Sequence, residues 1–266
     1  MKEFRTIEIS NPKFEDDFLR YITVKSENLK GRGDICVFVP PGIEDMTGCP
    51  LIILLHGVYG SAWCWSLNGG VHLTALDMIR KNLITPMVIA MPSDGLWGDG
   101  SGYVSHNGFN FEKWIAEEVP AAVKKCILAV DAQSKMFIGG LSMGGFGALK
   151  IGVKYAETFS AIAAHSSITN LQQMKSFVEE DIQNYIQEDR TEEDVFATIL
   201  KHKDHLPEIR FDCGLSDSLL EDNRLLHKQL LENNIKHEYE EFPGIHEWPY
   251  WQEHVKDALL FFSRFF

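Results

Sequence analysis

The hydrophobic pattern changes character near residue 50. Before it, apolar and polar positions alternate through Phe4–Ile9, Phe18–Val24 and Asp34–Val39. A period of two predicts antiparallel strands with one face in a core. Pro40-Pro41-Gly42 ends the third. From there the apolar runs are continuous, as in Leu51–Leu55 and Met87–Met91, which suits strands buried on both faces of a parallel sheet. Further strands are predicted over Lys135–Gly139, Phe159–Ala164, Glu208–Cys213 and Lys236–Phe242. Helical patterns fall between them, around Leu73–Lys81, over Phe111–Val123, from the Gly140–Gly145 turn to Tyr155, and over Ser218–Glu232. A last helix starts near Glu247, with Leu259, Leu260, Phe262 and Phe266 expected to pack on the sheet. Strands and helices alternating through short links predict an α/β architecture: one domain over 1–266, with a mostly parallel central sheet and helices on both faces.

Two stretches break the rhythm. Pro92–Gly108 is a Gly-rich loop after the Met87–Met91 strand. Ile168–His205 is long, charged and helical in character, carrying Glu179, Glu180, Asp181, Glu188, Asp189, Glu192 and Glu193. Its place between two strands predicts an insertion, either over the C-terminal edge of the sheet or as a solvated helix pair.

Gly140-Leu141-Ser142-Met143-Gly144 follows a predicted strand and opens a predicted helix. That context is what a nucleophile elbow requires: glycines on both sides allow a tight turn, and the serine hydroxyl stands above the sheet at a helix N-terminus. A serine hydroxyl needs a base to take its proton. The strand Glu208–Cys213 runs out into Gly214-Leu215-Ser216-Asp217, and Lys236–Phe242 into Pro243-Gly244-Ile245-His246. Asp217 and His246 therefore reach the same sheet edge as Ser142, in the chain order serine, acid, histidine. Asp212 and His237 lie within strands, and Asp222 and His254 within helices, which places all four poorly. Oxyanion donors are expected from Met143 and from the loop His56–Gly60, with Val58 preferred and Gly57 the alternative. His56 is expected to brace that loop.

These segments carry a resemblance. Leu55-His56-Gly57, Gly139–Gly145, the run Asp212–Asp217 and the late His246 are similar to the esterase D family of α/β-hydrolases. That family includes S-formylglutathione hydrolases, tributyrin esterases, acetyl xylan and feruloyl esterases, and mycolyltransferases. The resemblance runs from about Ile35 to the C-terminus. It implies the α/β-hydrolase fold, a Ser142–Asp217–His246 triad and oxyanion donors at Val58 and Met143. His56-Gly57-Val58-Tyr59-Gly60 departs from the Ser-Gly-Leu-Thr-Cys pattern of the formylglutathione enzymes, which favours the tributyrin or carbohydrate esterases. Trp63, Trp65, Trp97 and Trp248 lie near the expected site, and Trp97 and Trp248 are the candidate substrate-binding residues, since sugar or phenolic rings stack on indoles. The expected reaction is hydrolysis of a short acyl ester, acetyl first, on a carbohydrate or similar alcohol. Feruloyl and thioester hydrolysis are the alternatives within the class, and acyl transfer or non-catalytic binding lie outside it.

Composition narrows the partners. A net charge of −13 disfavours nucleic acid and anionic membranes. No run is long enough to cross a bilayer, and the first residues lack the apolar core of a signal peptide. A cytoplasmic location is therefore expected. The 5 cysteines form no CxxC pair and read as reduced thiols, indicating neither a disulfide framework nor a zinc site, and the serine mechanism calls for no metal and no cofactor. A homo-oligomer is compatible with the composition.

Overall fold

The two kinds of hydrophobic pattern become two halves of one nine-stranded sheet in the computed structural model, which describes residues 4–266. The alternating half supplies β1 (Ile7–Ile9), β2 (Leu19–Ser26) and β3 (Gly31–Phe38). β4 (Leu51–Leu55), helix α1 (Val71–Arg80) and β5 (Val88–Pro92) follow. A small hairpin of β6 (Ser105–His106) and β7 (Phe109–Asn110) leads into α2 (Phe111–Lys113), which continues through a π-helical turn at Trp114–Glu118 into α3 (Val119–Cys126). Next come β8 (Met136–Leu141), α4 (Met143–Lys154), β9 (Phe159–His165) and α5 (Val195–Lys201). β10 (Glu208–Gly214), α6 (Leu220–Glu232), β11 (Glu238–Phe242) and α7 (Trp248–Phe262) complete the chain.

The strand order is β1-β2-β3-β5-β4-β8-β9-β10-β11. β1, β2, β3 and β5 pair antiparallel in succession, and every pair from β5–β4 onward is parallel. All five side chains of β4 are buried. Leu51, Ile53 and Leu55 enter the core beneath α3 and α4, while Ile52 and Leu54 enter the one beneath α1 and α7. Successive residues of a strand point to opposite faces, so a strand covered on both sides must be apolar throughout. The parallel strands all end at one edge of the sheet, and the loops there carry the candidate chemistry.

The insertion departs from the expected helical character. Between Ile168 and His205 it forms three 3₁₀ turns, Leu171–Ser176, Ile182–Tyr185 and Arg190–Glu193, and one short α-helix, α5. Asn170, Asp181, Asp189 and Asp194 each cap the next turn with a side-chain oxygen on a backbone N–H. Caps this closely spaced restart the chain before an apolar stripe can build, and short isolated helices are unstable without one. The insertion is pinned at its far end by Glu192, which accepts from Lys154 at 2.6 Å and lies 3.3 Å from the buried Lys150. Glu112 joins both lysines.

Candidate active site

Ser142 joins β8 to α4 with φ 55° and ψ −119°, a backbone conformation rarely adopted by a residue with a side chain. Close packing enforces it. A Cβ on Gly140 would lie 2.3 Å from the Gly144 carbonyl oxygen, and one on Gly144 would lie 2.3 Å from that of Leu55. The Ser142 N–H donates to His165 O at 2.9 Å, and its carbonyl accepts from Phe146 N at 3.1 Å and Ile168 N at 3.2 Å. The nucleophile candidate is thus tied to β9, to α4 and to the start of the insertion.

The loops after β10 and β11 are laced together. Leu215 N–H donates to Phe242 O at 2.8 Å and Ser216 N–H to Gly244 O at 2.9 Å. A Cβ on Gly214 would meet the Gly244 carbonyl oxygen at 2.6 Å. This places Asp217 and His246 side by side: His246 Nδ1 lies 2.9 Å from Asp217 Oδ2 and 3.1 Å from Oδ1. His246 Nε2 lies 3.0 Å from Ser142 Oγ. The Asp217 side chain is fully buried and that of His246 is 20% exposed. Burial alone would push the Asp217 carboxyl up, but its bond to His246 and the N–H of Leu219 hold it below the usual carboxylate range. An ionised carboxylate only accepts, so Nδ1 carries the proton and Nε2 is free to accept from Ser142. A carboxylate, imidazole and hydroxyl bonded in this order can generate an oxygen nucleophile.

The rival residues are engaged elsewhere. Asp212 is fully buried and accepts from His165 Nδ1 at 2.9 Å, from Arg210 and from the Tyr250 hydroxyl at 2.8 Å. Asp222 lies in α6, His237 bonds Ile235 O and His227, and His254 bonds Asp257. Burial would raise the Asp212 carboxyl, yet His165 and Arg210 bring it down to about 2. Its ordinary value is 3.8. Because the folded value is depressed, stability should be held above about pH 4 and be lost as pH falls toward 2. Asp217 and Glu112, also held low, act in the same direction. The expected result is a urea midpoint that drops steeply between pH 4 and pH 2, with a weaker dependence in Asp212→Asn; equal slopes in both proteins would remove Asp212 as its source.

β4 ends at Leu55, and the loop that follows is held by His56. His56 Nε2 accepts the Asp94 N–H at 3.1 Å, so Nδ1 bears the proton and donates to Gly57 O at 2.7 Å. That carbonyl shares a peptide plane with the Val58 N–H, which must point the opposite way. Tyr59 N–H goes to Asp99 O at 2.8 Å and Gly60 N–H to Gly57 O at 3.2 Å. Among the described residues the Val58 and Gly57 N–H groups have no acceptor. Met143 is the first residue of α4, where an N–H has no partner within the helix. His56 therefore braces the loop as expected.

Ser142 and His246 open on a pocket of about 250 Å³ lined by Gly57, Val58, Tyr59, Trp63, Asn68, Phe177, Trp248 and Trp251 among others. Trp248 is where the sequence places it. Trp97 is not: the Gly-rich loop folds back on itself, with Asp94 accepting from Leu96 N and Ser101 N, and the Trp97 ring packs on His106 at 4.5 Å and Tyr185 at 5.7 Å. It belongs to the packing beside the core and lies outside the pocket lining. Trp65 also lies outside the lining, buried with its indole donating to Leu55 O. Two lining aromatics were not anticipated. Trp251 stands three residues after Trp248, so helical spacing already puts the two together. Phe177 comes from the insertion and rests 5.6 Å from the His246 ring, with no local signal for it. A larger cleft of about 510 Å³ beside β1–β3, lined by Arg5, Glu8, Lys25 and Arg32, holds neither histidine nor serine. No group of three or more His, Cys, Asp or Glu side chains among the described residues is arranged to hold a metal ion. No helix among them is long and apolar enough to cross a membrane.

Comparison with known proteins agrees with this architecture. The family model described as "Putative esterase" matches residues 26–262, nearly the whole chain. The chain belongs to this esterase family. It is 27% identical over 238 residues to an acetyl esterase of Caldicellulosiruptor saccharolyticus, covering 83% of this chain and 85% of that one. Among solved structures, a ferulic acid esterase superposes with a TM-score of 0.80 at 23% identity, covering 98% of this chain and 99% of that chain. An S-formylglutathione hydrolase of Staphylococcus aureus gives 0.78 at 20% identity, covering 96% and 99%. At such identities these two establish the shared fold. The fold is thus the α/β-hydrolase fold that the resemblance implies, in keeping with the α/β architecture expected from the strand pattern, and the family assigns the chain to the carboxylic ester hydrolases.

Proposed function

We propose that this esterase is a serine carboxylesterase acting on short acyl esters, acetyl foremost, borne by a carbohydrate or similar alcohol. The bonded series Asp217–His246–Ser142 at the ends of three strands carries the reading. His246 takes the Ser142 proton as Oγ adds to the ester carbonyl. Val58 and Met143 N–H groups receive the developing oxyanion. His246 then returns the proton to the departing alcohol, leaving an acyl-enzyme, and the same steps with water release the acid. The similarity to an acetyl esterase and the small aromatic pocket support a short acyl group. Trp63 and Trp248 offer faces for a sugar ring. The unpaired cysteines, Cys36, Cys49, Cys64, Cys126 and Cys213, support a reducing compartment such as the cytoplasm.

The test is kcat/KM on acetyl, butyryl, octanoyl and feruloyl esters, together with an acetylated oligosaccharide. Acetyl is expected to exceed octanoyl. Trp248→Ala should weaken kcat/KM for the sugar or feruloyl ester by about 1–3 kcal/mol through lost stacking and burial, and less for a small aliphatic ester. Trp97→Ala, outside the pocket, should show no such selectivity. A preference for octanoyl would sink the short-acyl assignment, and a dominant feruloyl rate would move the substrate to phenolic esters.

A further inference from the structure

The middle of the insertion touches the site through Phe177, but the hydrogen bonds of the segment that follows go to the Gly-rich loop. Glu180 Oε1 accepts the Asp99 N–H at 3.1 Å, and Asp99 Oδ2 accepts the Glu179 N–H at 2.7 Å. The two segments thereby clasp each other, side chain to backbone in both directions. One turn later the Tyr185 hydroxyl donates to Gly100 O at 2.8 Å. The clasped residues, Gly98 to Gly100, lie against the oxyanion donors. Gly98 has φ 53°, and a Cβ there would sit 2.1 Å from Glu180 Oε1. A Cβ on Gly100 would lie 2.6 Å from Met143 Sδ and 3.4 Å from Val58 Cγ1. Asp99 O accepts the N–H of Tyr59, the residue after Val58. A continuous path of contacts therefore runs from Glu180 and Tyr185 through Asp99 and Gly100 to Val58 and Met143.

We propose that the Phe177–Tyr185 segment is a brace for the oxyanion loop, with Glu180, Asp99 and Tyr185 as positioning residues. It rests on Val58 and Met143 being the oxyanion donors. An insertion at this place in the chain invites the reading of a substrate lid, yet its polar contacts are spent on the backbone of the neighbouring loop. The brace acts where charge develops in the transition state, so its loss reads in kcat more than in KM. Glu180 Oε2 is buried without a partner, so the second oxygen contributes nothing to the clasp, and glutamine can replace the carboxylate.

The experiment uses the full-length protein and an acetyl ester, with a trifluoromethyl ketone as the probe. The ketone carbonyl is attacked by Ser142 Oγ to give a hemiketal oxyanion in the same donors. Glu180→Ala should lower kcat by on the order of tenfold to a hundredfold with KM changed less than about twofold. It should weaken the ketone by a matching factor. Glu180→Gln should restore both, and Tyr185→Phe, which removes one hydroxyl from the same path, should shift both in the same direction by less. A rise in KM with kcat and ketone affinity unchanged would make the segment a substrate wall and overturn the brace, as would no change in Glu180→Ala and Tyr185→Phe. Should Glu180→Ala fail to fold, Tyr185→Phe decides alone, on the same two readouts. Absence of a ketone adduct at Ser142 in the wild-type protein is a separate outcome that overturns the oxyanion assignment and the brace with it.

Discussion

Ser142→Ala is expected to lower kcat by on the order of 10⁶-fold while leaving the fold intact. The loss follows from how little else could replace the hydroxyl. Among the described residues the hydroxyl bonded to His246 Nε2 is that of Ser142. Of its buried neighbours, Ser167 donates to Ile168 O at 2.6 Å, and neither Ser166 nor Ser167 bonds His246. Without Oγ, His246 has no protein nucleophile to activate, and only oxyanion stabilisation and binding remain to assist water. The fold should survive because the elbow is set by Gly140, Gly144 and the Ser142 backbone bonds, all untouched. The checks are kcat on an acetyl ester in a preparation free of host esterases, thermal midpoint, and labelling by a fluorophosphonate. Activity within tenfold of wild type would remove Ser142 from the mechanism.

Asp217→Asn should cost about 10³–10⁴ in kcat. The substitution is nearly isosteric, and asparagine Oδ1 can still accept the Leu219 N–H now taken by Asp217 Oδ1 at 2.9 Å. The amide nitrogen then faces Nδ1 of His246. Two N–H groups cannot share a hydrogen bond, so the ring must either place its proton on Nε2, where it cannot accept from Ser142, or turn away. The negative charge that steadies the imidazolium is lost as well. Asp212 cannot substitute, because its oxygens are engaged by His165, Arg210 and Tyr250. A near-normal Asp217→Asn enzyme would show that the acid is a different residue.

The pocket beside Ser142 and His246 draws its walls from three separate places. Trp63 lies beyond β4, Trp248 and Trp251 on α7, and Phe177 in the insertion. Gly69 makes room for one of them, since a Cβ there would lie 3.1 Å from the Trp248 ring. The rings also form a connected set: Trp65 and Trp248 meet edge to face at 5.8 Å, Trp248 and Trp251 at 5.4 Å, and Trp251 and His246 at 5.0 Å. A change at Trp248 therefore reaches the base through Trp251, which is why the ester comparison includes a small aliphatic substrate as its reference.

What could be read from the chain alone was what local order determines. Leu51–Leu55 is short, wholly apolar and led in by Pro50, which suits a strand covered on both faces. Gly140 and Gly144 around Ser142 announce an elbow, because only residues without Cβ allow β8, α4 and β4 to approach so closely. Asp217 and His246 follow from the same logic, since parallel strands deliver their succeeding loops to a single edge. The insertion and the pocket walls were decided otherwise. Asn170, Asp181, Asp189 and Asp194 turned a charged stretch into capped turns, a competition between side-chain and backbone hydrogen bonds that the hydrophobic period does not register. Trp97 left the site its position suggested, and Phe177, which carried no signal, entered it. One is drawn against Tyr185 and His106, and the other is set on His246, by how the Gly-rich loop and the insertion dock on each other. The contacts between the two segments join residues about 80 positions apart, as in Glu180 with Asp99. No period or spacing within either segment encodes them, and only the packed tertiary structure brings the two surfaces into register.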